Sequence, residues 1–154
     1  MRALIQRVAR ASVSVDDEEL AHAGHGLVVL LGIGEQDTEE DARYIVEKTL
    51  NLRIFGDRVR SFEVSALDTK AEVLVISQFT LYARTRKGRR PDFTEAAPPQ
   101  QAESLYHRTV ELFAASGLRV VEGRFGAYMQ VSLVNDGPVT ILLDSQERNQ
   151  SRRD

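Results

Sequence analysis

Three polar side chains interrupt an apolar run near the middle of the chain. In "AEVLVISQFTLYA", residues 71–83, Ser77, Gln78 and Thr80 follow Val73, Leu74, Val75 and Ile76. A polar group held in a core without a partner costs roughly 1–3 kcal/mol. Such a cluster marks either a polar pocket at the end of a buried strand or a strand leaving the core, and spacing alone leaves both open. A serine or threonine nucleophile needs an adjacent base, and no histidine or lysine here is placed to suggest one. A pocket at this point would work by positioning its substrate and by aiming backbone N–H groups at developing negative charge.

Other stretches carry weaker chemical signals. In "FGAYMQV", residues 125–131, Phe125, Tyr128 and Met129 surround Gly126. Core packing is the simpler reading, and a slot for adenine is the other. "VSLVNDGPVTILLD", residues 131–144, reads as two short strands around Asn135-Asp136-Gly137-Pro138. Asn-Gly or Asp-Gly alone would close a hairpin, so the proline is odd, because it surrenders a backbone donor at the mouth of a strand. Only about 5–6% of X–Pro bonds are cis in folded proteins, so the isomer is not readable from sequence.

His22 and His25 in "AHAGH" lack the further close ligands that zinc requires, and the expectation is a turn with two exposed histidines and no metal. "GIGEQD" lacks the third glycine of a dinucleotide fingerprint and reads as a glycine-bounded strand end. "RTRKGRR", residues 84–90, gathers Arg84, Arg86, Lys87, Arg89 and Arg90 on a chain whose net charge is −3. So local a concentration suits phosphate contact even on an acidic protein, the alternative being a solvated loop.

The elements that must position these groups follow from periodicity. "MRALIQRVARASVSV" predicts one long strand or two short ones broken near Ala9-Arg10, followed by a polar turn, "DDEEL". "GLVVLLGIG", residues 26–34, suits a strand buried on both faces. A helix then opens at Asp37 or Thr38, with Ala42, Ile45, Val46 and Leu50 as its apolar stripe. "LRIFGD" and "FEVSAL" read as short strands around a loop, and residues 71–83 begin as a buried strand. The basic stretch and "PDFTEAAPPQ" read as loop. A second helix begins near Pro99, striped by Ala102, Leu105, Tyr106, Val110 and Phe113, with Gly117 as its expected C-cap. "LRVVEG", "AYMQVSLV" and "VTILLD" complete seven or so strands, and "SQERNQSRRD" is a polar tail expected to fray.

A chain of 154 residues, 42% apolar and 28% charged, suits one domain with a sizeable core. The fold class is α+β, a single domain with a mixed, largely antiparallel sheet and two main helices. No apolar run spans a membrane, and the N-terminus lacks the continuous apolar core of a signal peptide, so it reads as structural from Met1. The absence of cysteine excludes disulfides, thiol catalysis and thiolate metal sites, and fits a cytosolic protein.

Four pieces occur together in a recognisable order: "MRALIQRV", "SQFTLYA", "KGRRPDFTEAAPP" and "FGAYMQVSLVNDGPVT". Over residues 1–145 the chain resembles the D-aminoacyl-tRNA deacylase (D-tyrosyl-tRNA deacylase) family, leaving 146–154 as the tail. The resemblance implies a homodimeric cytoplasmic enzyme without metal or organic cofactor. It would hydrolyse the ester joining a D-amino acid to the 3′ end of tRNA, and would also accept glycine mischarged onto alanine tRNA.

Residue by residue, Gly137 and Pro138 match the family's Gly-cisPro motif, which enters the partner's pocket and leaves no room for an L side chain, a specificity by exclusion. Arg7 matches the arginine that holds the motif. Ser77, Gln78, Phe79 and Thr80 match the catalytic pocket strand, with Thr80 as nucleophile in one account. In the other, favoured by the missing base, the terminal adenosine's 2′-hydroxyl does the chemistry while N–H groups near Phe79 and Thr80 polarise the carbonyl. Phe125, Ala127 and Met129 fall where the family holds adenine, and Arg86, Lys87, Arg89 and Arg90 suit the acceptor stem.

Three departures stand out. Arg84 replaces a usual acidic residue, "DTKA" at 68–71 lacks a usual glycine, and "RPDF" replaces "RPSF". The competing classes are a non-catalytic nucleic-acid-binding relative and a sister deacylase with relaxed chirality.

Overall fold

The computed structural model describes residues 1–57 and 62–150. The chain opens with a strand whose inward residues alternate, β1 (Arg2–Val15), running unbroken past Ala9-Arg10. Both of those residues are exposed, and the register against the last strand slips on either side of Val8, so the expected break is an irregularity within one strand. Asp16 and Asp17 turn the chain with φ of 50° and 64°, which aspartate tolerates better than most residues. The turn is shorter than expected, because Glu18 already begins β2 (Glu18–Ala23). His22 therefore lies on a strand; it and His25 are both exposed.

The apolar run makes β3 (Gly26–Gly32), buried on both faces, antiparallel to β1 and parallel to β4 (Glu72–Ser77). A second parallel pair adds β5 (Val120–Glu122), and β6 (Gln130–Asp144) runs antiparallel to β1 from Arg2 to Ser14, interrupted around Arg7. The result is one mixed sheet of six strands in the order β2-β1-β3-β4-β5, with β6 on the other side of β1.

Between strands lie α1 (Glu39–Asn51), α2 (Ala66–Thr69) and α3 (Pro99–Ala114). Thr38 caps α1, and its backbone N–H donates to the Asp41 carboxylate at 2.8 Å. The predicted stripe of α1 is buried, and with Tyr106 and Phe113 of α3 it packs on Ala3, Ile5, Leu27, Val29, Val73 and Val75. The intervening residues Val28, Leu74 and Ile76 face the opposite side, against Val8, Ala11, Val13 and Ala23.

Four expectations need correction. The short strands around residue 60 reduce to one backbone bridge, Phe55 to Val64, and "SAL" instead enters α2, where Ser65 and Asp68 form a capping box. The loop between them, residues 58–61, lies outside the described residues. Helix α3 is capped by Ala115, with Gly117 (φ 85°) following beyond the cap. The hairpin at 135–138 does not exist, because β6 passes straight through it. The tail is ordered as a 3-10 turn, Ser145–Asn149, against α1, and residues 151–154 lie outside the described part. Among the described residues no helix is long and apolar enough to cross a membrane.

Candidate active site

Strand β4 ends at Ser77, earlier than the apolar run suggests. The Gln78 N–H still bonds the Leu31 carbonyl at 2.8 Å, and the chain then coils into a 3-10 turn, Phe79–Tyr82. Gln78, Phe79 and Thr80 are thus off the strand, a correction to the sequence reading. Glycines at the end of β3 and just beyond it make room for the turn. A Cβ on Gly32 would lie 3.0 Å from both the Gln78 carbonyl oxygen and Leu81 Cβ, and one on Gly34 2.9 Å from the Tyr82 ring.

Arg2 fastens the turn from the far side. Its Nη1 donates to the Leu81 carbonyl at 2.9 Å, and its guanidinium stands 4.6 Å over the Tyr82 ring. Tyr82 O–H donates to Asp37 at 3.3 Å, and burial first, then Asp37, push its phenol well above the ordinary value.

Beside the turn opens a cavity of about 790 Å³. Ser77, Gln78, Phe79 and Thr80 form one wall, Phe93, Ala97 and Pro98 another, and Phe125, Ala127 and Met129 a third. In the last segment burial alternates: Phe125, Ala127 and Met129 are half-buried, while Gly126 and Tyr128 stand out. Phe125 and Met129 also pack against the two core clusters, so the core and slot readings hold together.

The Thr80 hydroxyl accepts a hydrogen bond from Gln78 Nε2 at 2.5 Å. No histidine, lysine or carboxylate is among the described residues lining the cavity. The site therefore offers no side-chain base. It does offer the N–H groups of Phe79 and Thr80, which open the turn and so have no partner within it.

Gly137, Pro138 and Arg7 are elsewhere. Gln6 pairs with Thr140 and Val8 with Asn135, so four residues of β6 stand opposite Arg7 alone, and Asp136–Val139 bulge from the sheet. Buried Arg7 holds the inner side: Nε donates to the Asp136 carbonyl at 2.9 Å and Nη1 to the Ile54 carbonyl at 2.7 Å. Asn135 closes the other side, accepting from Val139 N–H at 2.9 Å and donating to Thr140 Oγ1 at 2.8 Å. The Gly137–Pro138 bond is cis, and Gly137 has φ 138°, where a Cβ would meet Val139 Cγ2 at 2.9 Å. Both residues are exposed, and neither lines the cavity of its own chain.

Arg86, Lys87, Arg89 and Arg90 are exposed on a loop whose base is closed by paired backbone bonds between Arg84 and Asp92, 2.8 and 2.9 Å. Arg84 itself pairs with Glu95. The loop runs directly into Phe93, which meets Phe79 edge-on at 4.9 Å, so the basic residues adjoin a cavity wall. Among the described residues no three His, Cys, Asp or Glu side chains gather as metal ligands.

Sequence reasoning missed Arg2, Asn135, Phe93 and the glycine pair. Only Asn135 carried a local signal, the habit of asparagine to bond backbone a few residues on.

Comparison with known proteins bears on this geometry. A family model described as D-Tyr-tRNA(Tyr) deacylase matches residues 4–144. A relative from Dehalococcoides mccartyi named D-aminoacyl-tRNA deacylase is 54% identical, covering 96% of this chain and 97% of that one. Another so named, from Roseiflexus sp. (strain RS-1), is 56% identical and covers 97% and 99%. A solved structure titled c-Myc DNA Unwinding Element Binding Protein superposes with a TM-score of 0.87 at 44% identity, over 94% of this chain and 98% of that one. With nearly its whole length matched by the family model and by these relatives, the chain belongs to the D-Tyr-tRNA(Tyr) deacylase family.

Proposed function

We propose that this enzyme hydrolyses the ester between a D-amino acid and the terminal adenosine of tRNA, releasing the free amino acid and reusable tRNA. The observation that carries this is a cavity beside the Phe79 and Thr80 N–H groups, unpaired within their turn, whose described lining holds no histidine, lysine or carboxylate. Water adds to the ester carbonyl carbon, and the two N–H groups stabilise the oxyanion that forms. The adenosine's 2′-hydroxyl, adjacent to the ester, relays the proton, and the 3′-oxygen leaves as the hydroxyl. Thr80, already engaged by Gln78, orders the wall. The adenine lies against Phe125, Ala127 and Met129, and Arg86, Lys87, Arg89 and Arg90 meet backbone phosphates.

Chirality is selected by a second copy of the chain. The Gly137-Pro138 bulge is exposed, braced and remote from its own cavity, which supports insertion into the partner's cavity in a homodimer. There it occupies the space an L side chain would need. Glycine has no side chain to exclude, so glycine mischarged onto alanine tRNA is also a substrate. No metal or cofactor takes part, and the enzyme acts in the cytoplasm, where charged tRNA is found.

The test is ester loss from matched D- and L-aminoacyl-tRNA. Selective loss of the D ester is expected. Equal rates would remove the chiral filter. The name of the DNA-binding relative favours one second reading, a nucleic-acid binder without catalysis, and loss of neither ester would support it.

A further inference from the structure

Tyr128 is unusual among the aromatic side chains of this protein. It lines the cavity, yet it is 89% exposed, so it stands at the mouth with its ring in water. Tyrosine normally covers much of its ring. Its neighbours Ala127 and Met129 turn inward, so the alternation of the segment holds Tyr128 out. Phe79, 57% exposed and propped edge-on by Phe93, is a second ring on the same lining. The segment that supplies Phe93 continues from the loop of Arg86, Lys87, Arg89 and Arg90.

Exposed aromatic faces beside a basic strip are what a single-stranded polynucleotide needs: rings for its bases and cations for its phosphates. We infer that Tyr128 stacks on an unpaired base upstream of the terminal adenosine and so makes the enzyme prefer an oligonucleotide-borne ester over a bare nucleoside ester. The inference rests on the proposed deacylase activity. It adds a recognition residue outside the adenine slot.

The experiment compares kcat/KM for two substrates, a D-aminoacyl ester of adenosine and the same ester on the tetranucleotide ACCA. Wild type, Y128F and Y128A are measured. Wild type and Y128F should prefer the tetranucleotide, and Y128A should lose roughly five- to ten-fold of that preference, the lower part of the range for base–aromatic stacking. An unchanged preference in Y128A, or an equal loss in Y128F, overturns the assignment.

Anisotropy of dye-labelled, unacylated ACCA should give the same order of affinities without requiring turnover. If wild type cleaves neither ester while this order holds, the deacylase reading fails and the stacking stands. If Y128A instead lowers the mass in solution and binds ACCA as wild type does, the ring belongs to a contact between copies and the inference fails.

Discussion

Replacing Asn135 with alanine removes both bonds that close the outer side of the Asp136–Val139 bulge. The Val139 N–H, on a residue only 6% exposed, loses its acceptor at 2.9 Å. A buried donor left unpaired costs about 1–3 kcal/mol. The second bond, to Thr140 Oγ1, is exposed and adds little. Arg7 still grips Asp136 and Ile54 from the inner side, so the bulge loosens and the sheet survives. A loss of about 2 kcal/mol in a domain of this size lowers Tm by about 4–8 °C.

The functional effect should be larger than the thermal one. A bulge free to shift excludes an L side chain poorly, so N135A should cleave L-aminoacyl-tRNA at least ten-fold faster relative to the D ester than wild type does. N135D keeps an acceptor for Val139 N–H and should stay close to wild type in both measurements. Scanning calorimetry and ester-loss kinetics on paired D and L substrates read the two effects. An N135A protein with unchanged Tm and an unchanged D-to-L ratio would refute the bracing argument.

Three further outcomes follow from the site. T80A should keep at least a tenth of wild-type single-turnover activity, because Thr80 has no base and is held by Gln78; near-total loss in a folded protein would assign it as nucleophile. A D-aminoacyl-tRNA ending in 2′-deoxyadenosine should be cleaved at least a hundred-fold more slowly, and equal rates would exclude the 2′-hydroxyl. Asp41 couples α1 to the C-terminal turn. Burial opposes its charge, but Ser145, Thr38, the N-terminal ammonium and Arg148 together hold its carboxyl below the ordinary value. A carboxyl lowered by folding stabilises above its unfolded value near pH 4 and stops doing so as pH falls through the folded value. D41N should therefore melt below wild type at pH 6, with the gap in Tm closing towards pH 3.

What was legible in the sequence was whatever local pattern and burial determine together. The stripe of α1, the doubly buried β3 and the start of α3 at Pro99 follow from spacing, and the structure agrees. The misreadings arise where a distant partner decides. Residues 78–80 have the composition of a strand, yet the chain coils there because Gly32 and Gly34 leave a hollow and Arg2 reaches in to hold Leu81. Nothing within "SQFTLYA" encodes either fact. "NDGPVT" has the composition of a hairpin, and a hairpin would follow if its two flanks paired with each other. They do not, because β1 is long enough to take both, pairing Arg2–Gln6 with 140–144 and Val8–Ser14 with 130–135.

The sequence leaves residues 1–15 as one strand or two, and the structure makes them one, Arg2–Val15, whose length constrains the far end of the chain. A partner of that length gains more by pairing 130–135 and 140–144 itself than by leaving them to each other, because each flank then joins the full sheet rather than a marginal two-stranded ribbon. Once both flanks are fixed to one strand, the residues between them have no partner left in the ladder. Four of them must bulge outward, and a proline without a backbone donor costs nothing there. The proline that looks misplaced in a hairpin is thus suited to the one segment of β6 that β1 cannot pair.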